Sequence, residues 1–244
     1  MDLPIRLCIL FSGGGTTATA IYQACKNGIL SGLVEIALAI TNKPKAGGIE
    51  RLAAAGVQPD KIFVLQPHKG EPLEEYGEKV LSLCREHGAT LIGQYGWTKL
   101  TPNNVVKEFL GRSINQHPGP LDPGHPGFGG QGMRGLAVHE AVLSFSRLTD
   151  RLPITKATAQ RVGLEYDCGA VLHERPLLIR PDDTAESLSA RLLPFEHLVQ
   201  IETLLMFAEN RVREIRPRAR LIDPEDIPLL DEAMCLARAK YPHG

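Results

Sequence analysis

Three polar residues of this 244-residue chain have the types and the order that acyl transfer requires. Asn115 and His117 lie in residues 113–120, and Asp167 follows about fifty positions later, within residues 165–171. Residues i and i+2 of an extended segment point to the same face, so the Asn115 amide and the His117 imidazole can converge on one atom. Pro118 then ends the strand.

These side chains fit the attack of an amine on a carbonyl. The tetrahedral intermediate carries an oxyanion, which an asparagine amide beside an imidazolium can stabilise with two fixed donors. A nearby carboxylate such as Asp167 would keep the imidazole charged and help to collect the proton that the amine loses. The alternative is that Asn115 caps a turn, His117 is an ordinary residue at a strand end, and Asp167 belongs to a loop.

A glycine-rich turn, Ser12-Gly13-Gly14-Gly15-Thr16-Thr17, follows the first apolar run of the chain. At the start of a helix, such a turn presents backbone amides and the positive end of the helix dipole to an anion, which favours a phosphate. The turn matches neither the GxGxxG pattern of dinucleotide folds nor the GKS/T of a P-loop. The alternative is a tight turn that needs positive φ and binds nothing.

Composition favours a small-molecule enzyme of a reducing compartment. The 27 basic and 28 acidic residues nearly cancel, so we expect neither a nucleic-acid nor a membrane partner. The five cysteines are scattered without CxxC spacing, which argues against a disulfide framework and a zinc site. The apolar run before Ser12 is too short to span a membrane and leads into no cleavage site. We therefore expect a cytoplasmic protein. We also expect either a monomer or a homodimer.

Strand-like and helix-like segments alternate in the first half, which predicts an α/β fold: an open, mainly parallel twisted sheet with helices on both faces and a Rossmann-type N-terminal half. The predicted strands are residues 6–11, 34–40, 61–65, 90–93 and 113–116, and the predicted helices are 17–26, 48–55, 73–87 and 102–109. Ligands of such sheets bind at the carboxyl ends of the strands, where Asn115 and His117 lie.

The second half begins with a proline- and glycine-rich stretch, residues 118–135, which is typical of a mobile loop over a site or of a disordered insert. We interpret it as a lid. A helix at 136–148, strands at 155–162 and 170–179, a long helix from Thr184 to about residue 209 and a short C-terminal helix follow. We expect one domain over residues 1–215 and a C-terminal extension over 216–244.

Taken together, these motifs resemble the 10-formyltetrahydrofolate-dependent formyltransferases over about residues 5–215. The resemblance depends on residues 9–16, 40–43 and 93–102, on Asn115-x-His117-Pro118, on Asp167-x-Gly169-x-Val171 and on Glu196-His197. It implies a formyltransferase-like fold and transfer of a formyl group from 10-formyltetrahydrofolate, a co-substrate, to the amine of phosphoribosylglycinamide in purine biosynthesis. It implies no metal.

The resemblance also implies a role for each matched position. Asn115, His117 and Asp167 match the catalytic residues. The positions that match the phosphate- and ribose-binding segments are Gly13, Gly14, Gly15, Thr16, Thr17 and Glu196. Those that match the folate-binding loop are Trp97, Thr98, Lys99 and Leu100, and Asn115 is expected to contact the folate as well.

The chain departs from the family pattern in several places, two of which change the surroundings of the proposed site most. A glycine-rich segment through Gly132 replaces the usual turn after His117-Pro118, and residues 155–160 lack the two histidines of the typical His-Gly-Thr-x-x-His strand. These changes leave other acceptors open, such as a nucleotide-linked amino sugar. A 10-formyltetrahydrofolate hydrolase, which we expect to carry a further N-terminal domain, and a non-catalytic folate-binding module also remain as alternatives.

Overall fold

The computed structural model describes residues 3–125, 127–216 and 219–243. The strands are β1 (Ile5–Phe11), β2 (Val34–Thr41), β3 (Ile62–Val64), β4 (Leu91–Gln94), β5 (Ser113–His117), β6 (Ile154–Arg161) and β7 (Val171–Leu178). The helices are α1 (Thr16–Asn27), α2 (Gly48–Ala55), α3 (Leu73–Glu86), α4 (Asn103–Glu108), α5 (Leu136–Thr149), α6 (Ala185–Ala208) and α7 (Ile227–Lys240).

The seven strands form a mainly parallel sheet, as the sequence predicts. The chain divides into two compact units, one of residues 1–116 with 200–212 and the other of residues 117–199 with 213–244. These units cut the chain differently from the predicted division into residues 1–215 and 216–244, which stays a prediction.

In the first unit, β1 pairs in parallel with β2 and β4, β2 with β3, and β4 with β5, which gives the order β3-β2-β1-β4-β5. Strand β1 is a nearly continuous apolar run because a central parallel strand is covered on both faces. Its side chains pack with those of α3 and α4 in a core that includes Cys8, Leu10, Leu38, Ile40, Tyr76, Val80, Val105 and Phe109.

In the second unit, β6 and β7 pair as an antiparallel hairpin, with an irregular register at Ala159 and Gln160. Helix α5 packs against the C-terminal helix α7. Their shared core also contains Phe128 and Met133, which come from the proline- and glycine-rich stretch. This segment therefore does not lie over the surface as a simple lid, because two of its apolar side chains are buried in the core of the unit.

Within the part of the chain that the structure describes, no helix is both long enough and apolar enough to cross a membrane.

Candidate active site

His117 and Asp167 meet inside the second unit. The His117 Nδ1 atom lies 3.6 Å from the Asp167 Oδ1 atom. His117 is 2% exposed, so this pair is shielded from water, where charges interact more strongly than at a surface. The two residues stand at the end of β5 and in the turn between β6 and β7, which explains why residues fifty positions apart can act together.

The backbone at Asp167 is held in an unusual conformation. Its φ is 56°, in the left-handed region that aspartate tolerates better than most residues. Two residues later, a Cβ on Gly169 would lie 1.8 Å from the carbonyl oxygen of Arg161, so only glycine fits there. The Asp-x-Gly spacing thus has a steric basis. Because Gly169 has no side chain, the turn that carries Asp167 can pass close to the end of β6.

Hydrogen bonds from two directions hold the Asp167 carboxylate. The Gln160 Nε2 atom donates to Oδ1 at 2.7 Å, and the backbone N–H of Gly130 donates to Oδ2 at 2.9 Å. On the other side of the imidazole, His117 Nε2 lies 3.1 Å from the carbonyl oxygen of Phe128. The proline- and glycine-rich stretch of residues 118–135 is called the inserted segment below. Its residues 128–130 therefore contact both members of the pair.

The pKa of His117 departs from the sequence expectation. Burial lowers it below its ordinary value, while the Asp167 carboxylate and the Phe128 carbonyl act in the opposite direction, and burial prevails. A neutral imidazole carries a single N–H, yet both of its nitrogens face oxygen acceptors. The surroundings of His117 therefore offer an oxygen acceptor to each ring nitrogen, as a doubly protonated imidazole would require.

Asn115 lies on the same strand as His117. In the ladder of β4 and β5, Asn115 pairs with Gln94, whose amide donates a 2.6 Å hydrogen bond to the Thr101 hydroxyl. The strand alternation puts Asn115 and His117 on one face of β5, as the sequence predicts. The side chain of Asn115 is partly buried.

The glycine-rich turn connects β1 to α1. Gly15 has a φ of 67°, and a Cβ on it would lie 2.7 Å from the Cα of Gly48. The Gly48 N–H donates to the Gly13 carbonyl at 3.0 Å, and the Arg51 side chain donates to the Gly14 carbonyl at 2.7 Å. Residues of α2 therefore hold the turn by its Gly13 and Gly14 carbonyls.

The exposed side of the same turn is open. Gly13 and Gly14 are exposed, and a Cβ on either would meet none of the described atoms within 4 Å. Helix α1 begins at Thr16, and among the described residues no side chain caps it. Its first N–H groups therefore remain suited to an anion at the helix terminus. Thr16 is partly buried and Thr17 is buried.

The predicted folate-binding loop follows β4 and is attached to the end of β1. The Thr98 N–H donates to the Ser12 hydroxyl at 3.1 Å, and that hydroxyl donates to the Asn42 side chain at 2.7 Å. Trp97 packs against the core of the first unit, yet its indole N–H is buried without a partner among the described residues. Lys99 is exposed and Leu100 partly buried.

Glu196 and His197 lie in the middle of α6, where the sequence predicts a helix. Glu196 is buried, which is uncommon for a carboxylate and typical of one with a specific partner. The neighbouring His197 is about half-buried, and this burial lowers its pKa.

His139 is a residue of this region that sequence reasoning missed. It lies in α5 and is 1% exposed. Burial is the main cause that lowers its pKa, to about 4, and the charge of His117 contributes to lowering it. The only signal in the sequence was a histidine among apolar residues of a predicted helix, which is most often a core residue.

The buried His139 should make the protein less stable in mild acid. Unfolding restores an ordinary pKa of about 6.5, so the unfolded chain takes up a proton that the folded protein resists. Stability should therefore be full above pH 6.5 and fall as the pH decreases towards the folded pKa of about 4, by on the order of 3 kcal/mol from this residue.

Urea unfolding at a series of pH values checks this prediction. His139→Gln removes the titrating ring, so its free energy of unfolding should fall less between pH 7 and pH 4 than that of the wild type. Equal slopes for the two proteins would contradict it.

Comparison with known proteins gives a consistent result. The formyl transferase family model matches residues 5–204. The chain is 31% identical to the chloroplastic phosphoribosylglycinamide formyltransferase of Arabidopsis thaliana, over 85% of this chain and 67% of that protein. It is 29% identical to the phosphoribosylglycinamide formyltransferase of Dictyostelium discoideum, over 84% of this chain and 99% of that one.

A solved structure shares both fold and sequence. The crystal structure of glycinamide ribonucleotide transformylase 1 from Symbiobacterium toebii aligns with a TM-score of 0.73 and 26% identity, over 90% of this chain and 94% of that chain. The match of the family model to most of the sequence, together with these relatives, shows that the chain belongs to the formyl transferase family.

Proposed function

We propose that this protein transfers the formyl group of 10-formyltetrahydrofolate to the amine of phosphoribosylglycinamide, a step of purine biosynthesis. The observation that carries the chemistry is the buried contact of 3.6 Å between His117 and Asp167, with Asn115 on the same face of β5. The names of the Arabidopsis and Dictyostelium relatives support the choice of acceptor.

In the proposed reaction, the amine nitrogen attacks the formyl carbon on N10 of the folate. The carbonyl oxygen becomes an oxyanion, to which the Asn115 amide and the His117 N–H donate. In this proposal the His117 N–H is on Nε2. The formyl oxygen replaces the Phe128 carbonyl as the acceptor of that N–H, because the two oxygens compete for one donor. The negative charge favours a second proton on the imidazole, which the attacking amine supplies and which then passes to N10 as the bond from the formyl carbon to N10 breaks.

The proton balance assigns a role to Asp167. The attacking amine loses a proton, the bond from the formyl carbon to N10 breaks, and N10 gains a proton. Asp167 supports this transfer by stabilising the charged imidazole beside it. The products are tetrahydrofolate and the formylated amine.

Two loops of the first unit and Glu196 of α6 carry the proposed binding roles. Residues 13–17 would hold the phosphate of the amine substrate through backbone amides, and Glu196 would contact its ribose. Residues 97–100 would bind the pterin. The Trp97 N–H, which has no partner among the described residues, can donate to it, and the hydrogen bond from the Thr98 N–H to the Ser12 hydroxyl holds the loop at the end of β1. In this proposal no metal takes part.

We further propose a cytoplasmic monomer or homodimer whose ligands are small molecules. The near-neutral charge supports the absence of nucleic-acid and membrane partners. The plant relative named above is chloroplastic, so the compartment can differ among relatives.

An acceptor panel tests the proposed function. The purified protein is mixed with 10-formyltetrahydrofolate and with phosphoribosylglycinamide, a nucleotide-linked amino sugar or no amine, and deformylation is followed by absorbance. Of these three mixtures, we expect turnover only in the one that contains phosphoribosylglycinamide. The same amine without its phosphate should have a raised KM.

Three results would overturn the proposal, and each identifies an alternative. Equal turnover without any amine would indicate a hydrolase. Turnover with the amino sugar alone would indicate another acceptor class. Calorimetric binding of reduced folate without turnover on any acceptor would indicate a binding module.

A further inference from the structure

We infer that Gln160 and residues 128–130 are positioning groups that hold the Asp167 carboxylate against the His117 imidazole. This inference deepens the proposed function and rests on it. Neither Gln160 nor the inserted segment belongs to the catalytic set that the sequence predicts.

The first half of this support is Gln160. Its side chain is 1% exposed, and its Nε2 atom is 2.7 Å from the Asp167 Oδ1 atom, the same oxygen that faces His117. A carboxylate oxygen only accepts, so the amide must direct its NH₂ group to it. The Gln160 Oε1 atom is buried without a partner among the described residues. Such an orphaned acceptor destabilises the fold. We therefore attribute the burial of this side chain to the hydrogen bond that its NH₂ group donates to Asp167.

The local irregularity of the hairpin places Gln160. The register of β6 against β7 shifts between Ala159, opposite His173, and Gln160, opposite Val171. Such a bulge changes the direction of side chains and is frequent beside active sites. Here it coincides with the residue that reaches Asp167.

The second half of the support is the inserted segment. The Gly130 N–H binds the other carboxylate oxygen, and Gly130 has a φ of 103°, which favours glycine. A Cβ on Gly129 would lie 2.5 Å from the Asp167 Cβ atom, so the segment passes the aspartate as closely as atoms allow. With both oxygens bound, the carboxylate plane has one orientation, with Oδ1 towards Nδ1 of His117.

The core of the unit keeps this segment in place. Phe128 is fully buried and packs edge to face on Phe145, with ring centroids 5.6 Å apart. The same core contains Leu230, Ala233 and Ala237 of α7. The C-terminal helix thereby stabilises the segment that contacts the catalytic pair, a role that its sequence does not indicate.

Gln160→Met tests the first half, because methionine has a similar length and volume but no N–H donor. We expect kcat for formyl transfer to fall at least tenfold, KM for both substrates to stay within about twofold, and the urea midpoint to stay unchanged, since the orphaned Oε1 is lost as well. Gln160→His, which restores an N–H donor, should recover part of the lost kcat. Lys156→Met is the matched control, since Lys156 lies on the same strand and pairs with Glu174 at 2.6 Å. It should keep the kcat of the wild type.

Gly129→Ala tests the second half by pushing Asp167 away. The matched control is Gly127→Ala, whose Cβ would meet Asp122 and not Asp167. Neither glycine has a positive φ. A methyl group on Gly129 would lie 2.5 Å from the Asp167 Cβ atom and 2.8 Å from the Leu121 Cδ2 atom, whereas on Gly127 the nearest atom would be the Asp122 backbone nitrogen at 3.2 Å. We expect kcat to fall at least tenfold for Gly129→Ala and less than twofold for Gly127→Ala. This pair also carries the test if Gln160→Met does not fold.

An NMR titration of the His117 ring supplies a readout that does not depend on activity. The signal is assigned by its loss in His117→Gln. The charge of Asp167 raises the pKa of His117, so a displaced carboxylate in Gln160→Met or Gly129→Ala should lower that pKa, whereas both controls should leave it unchanged.

The inference is overturned if these variants keep both the kcat and the His117 pKa of the wild type. If the wild-type protein transfers formyl groups to no amine, the proposed function fails. The titration still decides whether Gln160 and residues 128–130 position the pair.

Discussion

Replacing Asp167 by Asn should lower kcat for formyl transfer by about a hundredfold to ten-thousandfold while folate binding is kept. The substitution preserves size but removes the charge that lies 3.6 Å from the His117 ring. Without it, only the Phe128 carbonyl still opposes the effect of burial, so the pKa of His117 should fall further and the oxyanion should lose its charged partner.

The fold should tolerate this change. The remaining carbonyl oxygen of the asparagine can accept from the Gly130 N–H, and the Gln160 amide can rotate so that its orphaned oxygen accepts from the new NH₂ group. Asparagine also tolerates the left-handed backbone at this position.

The matched control for this variant is Asp150→Asn. Asp150 has a similar positive φ of 53° but is exposed at the end of α5. Its replacement should leave kcat unchanged. Single-turnover measurements with saturating folate separate chemistry from binding. Unchanged turnover of Asp167→Asn would show that this carboxylate is misassigned.

Replacing Asn115 by Ala should lower kcat by about a hundredfold to a thousandfold, because it removes one of the two donors proposed for the oxyanion. KM for the amine should change little, since the phosphate turn lies elsewhere in the sequence. Asn115→Asp should be at least as impaired, because a negative charge would face the developing oxyanion.

Asn103→Ala is the control for the loss of an asparagine amide, since Asn103 is exposed at the first turn of α4. Steady-state kinetics with both substrates varied gives the split between kcat and KM. A loss confined to KM for the folate would assign Asn115 to binding and contradict its role at the oxyanion.

Much of the fold follows from the sequence because its signals are local. Apolar runs such as β1, separated by amphipathic segments and glycine or proline turns, predict parallel strands joined by helices, and the strands and helices lie within one or two residues of the predicted positions. The i and i+2 spacing of Asn115 and His117 likewise fixes their common face without any tertiary information.

The surroundings of the site are a different matter, because they arise from contacts between residues that are distant in the chain. The inserted segment looks mobile by composition, since glycine and proline carry no apolar pattern. Its order depends on two side chains, Phe128 and Met133, that are buried against α5 and α7. The low pKa of His139 similarly results from how deeply its ring is buried, and the apolar periodicity of the sequence does not give the depth of burial.

By itself the sequence determined the order of strands and helices, the glycine turn before α1 and the three polar residues of the proposed reaction, because each is a matter of spacing along the chain. Only the tertiary structure decided that burial prevails over Asp167 in setting the pKa of His117, and that Gln160 and Gly130 hold that carboxylate. The physical reason is that desolvation and hydrogen-bond geometry depend on which atoms lie within a few ångströms in space.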